Sequence, residues 1–153
     1  MIKIENEDLL NNFTKQHRNL ENKLVVVRFK MNGCVHCVNS QPKWDSMIDT
    51  IDTSYHVQPN TLFLEIDSNV ADNFIQQHNV ITENKQPYSV NGFPEHAIIT
   101  KGVSYPSNSD MDTTVNSIMK QLVKHKHITT KPKKSKKKKS KNKSKKKKRN
   151  SLK

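Results

Sequence analysis

The chain has 153 residues, 27 Lys plus Arg against 14 Asp plus Glu, and a formal net charge of +13. That charge is segregated: Lys131 to Lys153 holds fourteen lysines, Arg149 and no acid, whereas residues 1–130 carry 12 basic and 14 acidic side chains. The near-neutral body has 48 apolar positions, enough for one domain without metal or disulfide staples. It has no apolar run near the ~20 residues of a membrane span and no secretory start, so a transmembrane protein, a secreted scaffold and a wholly disordered chain are not expected.

Residues 7–20 predict an amphipathic helix through Leu9, Leu10, Phe13, His17 and Leu20, with Asn6 as its cap. Leu24-Val-Val-Val-Arg-Phe29 is a β-branched run typical of a strand buried on both faces. Val35, Val38, Trp44, Met47, Ile48 and Ile51 then mark a helix of about four turns, with Pro42 inside it as a kink. Thr61-Leu-Phe-Leu-Glu-Ile66 predicts a second buried strand, and Val70–His78 a short helix. Residues 79–91 read as a loop. Strands follow at His96–Thr100 and Val103–Tyr105 around a Lys101-Gly102 turn. Ser109 or Asp110 caps a last helix striped by Met111, Val115, Ile118, Met119 and Leu122. Strands alternating with helices and a closing hairpin predict a three-layer α/β domain over residues 1–128. Residues 129–153, a low-complexity Lys/Ser segment, are expected to be a disordered tail.

Cys34 and Cys37, with Val35 and His36 between them, are the only cysteines. A C-x-x-C beside a βαβ pattern is a redox motif. Cys34 falls where a buried strand gives way to a helix, whose free N–H groups and partial positive charge favour a thiolate. Cys37, one turn on, is in reach to resolve a mixed disulfide formed at Cys34. A structural disulfide closing this tiny loop would stabilise little. A zinc site would need two more ligands from seven histidines, of which only His125 and His127 are clustered.

Leu24-Val-Val-Val-Arg-Phe-Lys-Met-Asn-Gly-Cys-Val-His-Cys37, Pro42, Asn91-Gly-Phe-Pro94 and Lys101-Gly102 together resemble the thioredoxin family over most of residues 5–126. The resemblance implies a thioredoxin-like α/β/α domain with a mixed central sheet. It also implies a cis Pro94 facing the cysteines, a Phe93 backbone edge for an incoming polypeptide, and thiol–disulfide exchange without a cofactor. His36 resembles the residue before the second cysteine of disulfide isomerases and oxidases. A donor there favours the Cys34 thiolate and a potential above the about −270 mV of thioredoxin. Three positions depart from the family. Gly33 stands where a Trp is usual, which removes an apolar shoulder. Arg28 stands at the buried carboxylate, so it cannot act as a base; it either stabilises a thiolate or reaches out to solvent. The loop before Pro94 is longer, long enough to cover or reshape the substrate groove.

The tail is a polycation expected to bind polyanions by counterion release, through Lys133, Lys134, Lys136, Lys137, Lys138, Lys139, Lys145, Lys146, Lys147, Lys148 and Arg149, the alternative being a tail that only solubilises. No aromatic residue interleaves with them to stack on bases, and the same runs suit nuclear import or anionic lipid. A Lys-rich extension on a small domain looks like the thioredoxin domain-containing proteins of giant DNA viruses. That resemblance implies host cytoplasm or nucleus and packaging in a virion. The function expected is thiol–disulfide oxidoreductase on protein substrates, with the tail localising it to nucleic acid. The competing class is a binding module in which the tail carries the function.

Overall fold

A computed structural model describes residues 1–107 and 110–132. Ser109 and the eleven basic residues named above for polyanion binding lie outside the described residues. The chain runs β1 (Ile2–Ile4), α1 (Glu7–Gln16), β2 (Leu24–Lys30), α2 (Val35–Ser54), β3 (Tyr55–Val57), β4 (Thr61–Asp67), α3 (Ser68–Gln77), β5 (Glu95–Thr100), β6 (Val103–Ser107), α4 (Met111–Lys124) and β7 (Ile128–Thr130).

Five strands make one mixed sheet in the order β1-β4-β2-β5-β6. β4 is parallel to both β1 and β2, while β5 is antiparallel to β2 and β6. The two continuous apolar runs, β2 and β4, take inner positions because only there are both faces of a strand covered. Alternate residues then serve opposite cores. Val25, Val27, Phe29, Leu64 and Ile66 pack with Leu10, Phe13, Val70 and Phe74 from α1 and α3. Leu24, Val26 and Ile98 pack with Trp44, Ile48, Ile51, Ile118 and Leu122 from α2 and α4. By the same alternation Arg28 falls on the α2–α4 face, opposite Glu65 on β4 and His96 on β5.

The expected elements are present, with corrections at their edges. α1 stops at Gln16, where the His17 N–H closes on the Phe13 carbonyl; Leu20 is buried from the turn beyond, and Leu9 is exposed. α2 runs 20 residues, longer than four turns, and carries Pro42 within it. Its first two apolar residues do not belong to the buried stripe: Val35 and Val38 are each 67% exposed. β1, β3 and β7 are additional strands of three residues each, too short for a periodicity of two to be read. β3 and β7 form a separate antiparallel pair, and β7 runs on to Thr130. Asp110 caps α4 by accepting the Thr113 N–H. The Lys101-Gly102 turn has positive φ at both residues, 52° and 74°, as a tight two-residue hairpin turn requires. No helix among the described residues is long and apolar enough to cross a membrane.

Candidate active site

β2 delivers the chain to the open end of the sheet, and a short turn starts α2 there. Gly33 has φ +75°, a region that glycine enters freely and other residues rarely do. Cys34 is the N-cap of α2, its Sγ accepting the Cys37 N–H at 3.1 Å. The side chain of Cys34 thus takes the place that Ser or Asp usually fills at a helix start, with sulfur as acceptor. Both cysteines are free and buried.

The two thiols are pushed apart in acidity. Cys34 is held below an ordinary thiol, first by a hydrogen bond from the Cys37 thiol, then by the backbone N–H groups of Cys37 and His36 and the charge of Arg28; burial opposes this. Cys37 is raised, first by burial and then by Cys34 itself. One sulfur is therefore prepared as a nucleophile, while its partner keeps its proton longer.

On its other side the Cys34 thiol donates to the Phe93 carbonyl at 3.4 Å, and the Phe93–Pro94 peptide is cis. The Phe93 side chain packs half-buried against the α1–α3 core. A cleft of about 510 Å³ opens beside the pair, lined by His36, Ser40, Asn91, Phe93, Pro94 and His96 among others. Exposed Met31, Val35 and Val38 surround Cys34 in sequence and give this end of the domain apolar surface. The His36 ring is exposed, and the group it turns toward Cys34 is its backbone N–H.

The long loop does not lie wholly over the groove. Ile81 bridges to Val103 at the β6 edge, and buried Tyr88 packs on Phe29 with its hydroxyl donated to the Glu95 carboxylate. Only its last residues, from Asn91 onward, line the cleft.

Arg28 does not reach solvent: it is 0% exposed. Its Nη1 donates to Gln41 Oε1 at 2.7 Å and Glu65 Oε2 at 2.9 Å, and its Nη2 to the Cys37 carbonyl at 2.7 Å and Ser40 Oγ at 3.1 Å. Glu65 also receives Gln41 at 3.1 Å and lies 3.5 Å from Lys30 Nζ. Burial alone would raise Glu65, but Gln41, Arg28 and Lys30 together hold it below the usual carboxylate range. His96, packed on Trp44, is lowered to about 4, by burial first and then by Arg28.

The residues expected at the site, Cys34, His36, Cys37, Phe93, Pro94 and Arg28, thus converge at one end of the sheet. Glu65, Ser40, Gln41 and His96 were not anticipated. A charge in each of two buried apolar runs, Arg28 and Glu65, was the available signal. His125 and His127 fall at the far end, His127 Nδ1 being 3.1 Å from Thr61 Oγ1 where β4 begins. Among the described residues no group of three or more His, Cys, Asp or Glu is arranged to hold a metal ion.

Fold and site together define a C-x-x-C protein whose cysteine pair caps the helix after an inner strand and faces a cis-proline. No family model and no curated protein matches the chain. Among solved structures it is similar to thioredoxin NaTrxh from Nicotiana alata, with 16% identity, 81% of this chain and 92% of that chain covered, and a TM-score of 0.50. It is also similar to Fasciola hepatica thioredoxin (20% identity, 79% and 98% covered, TM-score 0.47). A third similar structure is the first thioredoxin domain of mouse protein disulfide-isomerase A4 (18% identity, 75% and 71% covered, TM-score 0.48). The chain has the thioredoxin fold.

Proposed function

We propose that the protein is a thiol–disulfide oxidoreductase acting on protein substrates through Cys34 and Cys37. The observation that supports this most is the Cys34 sulfur, which caps a 20-residue helix at 3.1 Å from the Cys37 N–H and meets the carbonyl of Phe93, itself in the cleft wall. In the reducing direction the Cys34 thiolate attacks a substrate disulfide and releases one substrate thiolate. Cys37 then loses its proton and attacks Cys34 Sγ, which releases the second substrate thiolate and leaves the Cys34–Cys37 disulfide. Oxidation of a substrate dithiol is the same sequence reversed. Phe93 and Pro94 border the path of the substrate chain, and His36 stands at its rim. The exchange needs no cofactor.

The Lys-rich segment, in this reading, tethers the domain to nucleic acid or another polyanion by charge alone. Its lysine runs also suit nuclear import, and they fit residence in host cytoplasm, nucleus or virion.

Titration in glutathione buffers, with free thiols trapped and counted by mass, tests the reaction. A single two-electron transition between about −270 and −120 mV is expected. Cys34→Ser should abolish exchange, and Cys37→Ser should accumulate the mixed disulfide. A pair that stays reduced at every ratio would end the proposal and leave the basic segment as the functional part.

A further inference from the structure

A charge in an inner strand is rare unless it is paired, because removing it from water is costly. Arg28 is such a charge, and its partners have a pattern. Cys37, Ser40 and Gln41 belong to the first two turns of α2, and Glu65 lies across the sheet. Ser40 passes the contact on, accepting from Arg28 and donating to the Cys37 carbonyl at 3.1 Å. The guanidinium therefore clamps the cysteine turn onto β2 and β4.

None of these groups is free to take a proton from Cys37. Arginine keeps its charge throughout the working range. Glu65 is occupied by Arg28, Gln41 and Lys30. The charged and titratable groups around the pair are Arg28 and Lys30 from β2, Glu65 from β4, His96 from β5, His36 from α2, Asp110 at the start of α4 across the cleft, and Glu5 beside Lys30. Asp67 of β4 is turned to cap α3, and Glu95 of β5 points to the opposite face, toward Tyr88. Lys30 is shared between Glu65 at 3.5 Å and half-exposed Glu5 at 3.8 Å, so Arg28 is the cation of this group that touches the cysteine turn itself.

We infer that Arg28 is a positioning residue that supplies a fixed positive charge beneath the cysteine pair, so that the thiolates are held by that charge and not by a buried carboxylate that takes their proton. This deepens the proposed exchange reaction and rests on it. The Cys37 proton leaves to solvent. The resulting thiolate forms the bond to Cys34 Sγ as the mixed disulfide breaks, and the electron pair departs on the substrate sulfur. A charge that favours thiolate favours the reduced pair, and so makes the disulfide a stronger oxidant of substrate dithiols.

The test compares the full chain with Arg28→Met, Arg28→Lys and Glu65→Gln by two readouts. One is the pH titration of thiolate ultraviolet absorbance; the other is the equilibrium constant against glutathione. Arg28→Met should weaken the Cys34 acid about tenfold and shift the equilibrium toward disulfide by a similar factor. Arg28→Lys should retain part of the effect, and Glu65→Gln should move both readouts the opposite way. An unchanged titration in folded Arg28→Met, or a Glu65→Gln shift in the same direction as Arg28→Met, would overturn the inference. If Arg28→Met does not fold, Arg28→Lys and Glu65→Gln decide it by the same signs. The absorbance titration needs no turnover, so it decides the role of Arg28 even if the wild type exchanges nothing with glutathione and the oxidoreductase reading fails.

Discussion

Arg28 and Glu65 stand directly opposite one another on the parallel strands β2 and β4, and they close an ion pair of 2.9 Å with neither side chain more than 1% exposed. The pair is tied to the cysteine turn through Ser40, Gln41 and the Cys37 carbonyl. A domain of this size has alternatives to an internal charge: two apolar residues of similar volume are often equally stable at such a place. What an apolar pair would not give is a permanent cation under Cys34 and Cys37.

Stability measurements can separate the pair from its electrostatic role. Arg28→Met alone leaves the Glu65 carboxylate buried without its partner, a loss of about 3–5 kcal/mol. The double variant Arg28→Met, Glu65→Leu removes both charges together and should be less destabilised than Arg28→Met. Urea midpoints of the two singles and the double give the coupling. Strictly additive losses would mean that the two side chains stabilise the fold independently.

The opposed shifts of the two thiols predict unequal reactivity. Cys34 titrates below an ordinary thiol because hydrogen bonds from the Cys37 thiol and from N–H groups favour its anion; Cys37 titrates above because it is buried. At neutral pH an alkylating reagent should therefore label Cys34 first, and labelling of Cys37 should rise only at higher pH. Peptide mapping after brief alkylation across a pH series reads this directly. Equal labelling at all pH values would contradict the arrangement.

How much of this was legible in the sequence differs by residue. β2 and β4 declared themselves because a strand covered on both faces cannot alternate, and Cys34 declared itself by standing at the junction of β2 with a helix. The turn at Lys101-Gly102 and the placement of Pro94 also read correctly. Val35 and Val38 misled, since helical spacing cannot say that the first turn of α2 projects beyond the sheet into solvent. Arg28 was ambiguous for a related reason: a long side chain can reach out or pair inside, and only the register that sets it against Glu65 decides. The three-residue strands β1, β3 and β7 carry too few positions for any period to appear.

Acid sensitivity should come in two stages. His96 is neutral in the fold down to about 4 but protonates near 6.5 when unfolded, so its contribution is complete above 6.5 and lost as pH falls toward 4. The shift amounts to an effect on the order of 3 kcal/mol. Buried His78 is lowered too and adds in the same direction. Glu65, held low, contributes above the ordinary carboxylate pKa and is lost only as pH falls through its lower folded value. Glu95, raised by burial, acts in the opposite sense and offsets part of the loss near its own titration. His96→Leu should therefore flatten the stability profile between pH 6.5 and 4 while leaving the lower stage intact. A profile as steep as wild type would remove His96 from the account.

The root of the basic segment is fixed far from the cysteines. The Lys131 N–H donates to the Ser54 carbonyl and its Nζ to that of Asp52, both at the last turn of α2, whereas Cys34 caps the first. A helix of 20 residues is about 30 Å long, so a polyanion gathered near Lys131 need not crowd the cleft. Removing residues 133–153 should then abolish polyanion binding and leave the glutathione equilibrium and the rate of exchange with a disulfide peptide unchanged. For the full chain, the logarithm of the affinity for duplex DNA should fall linearly with the logarithm of salt concentration, with a slope of about −0.9 for each phosphate neutralised. Retention on immobilised DNA across a salt series, beside exchange assays on both chains, checks the two halves together. Exchange that slows on truncation, or accelerates when DNA is added, would show that the segment reaches the cleft and that tether and active site are coupled.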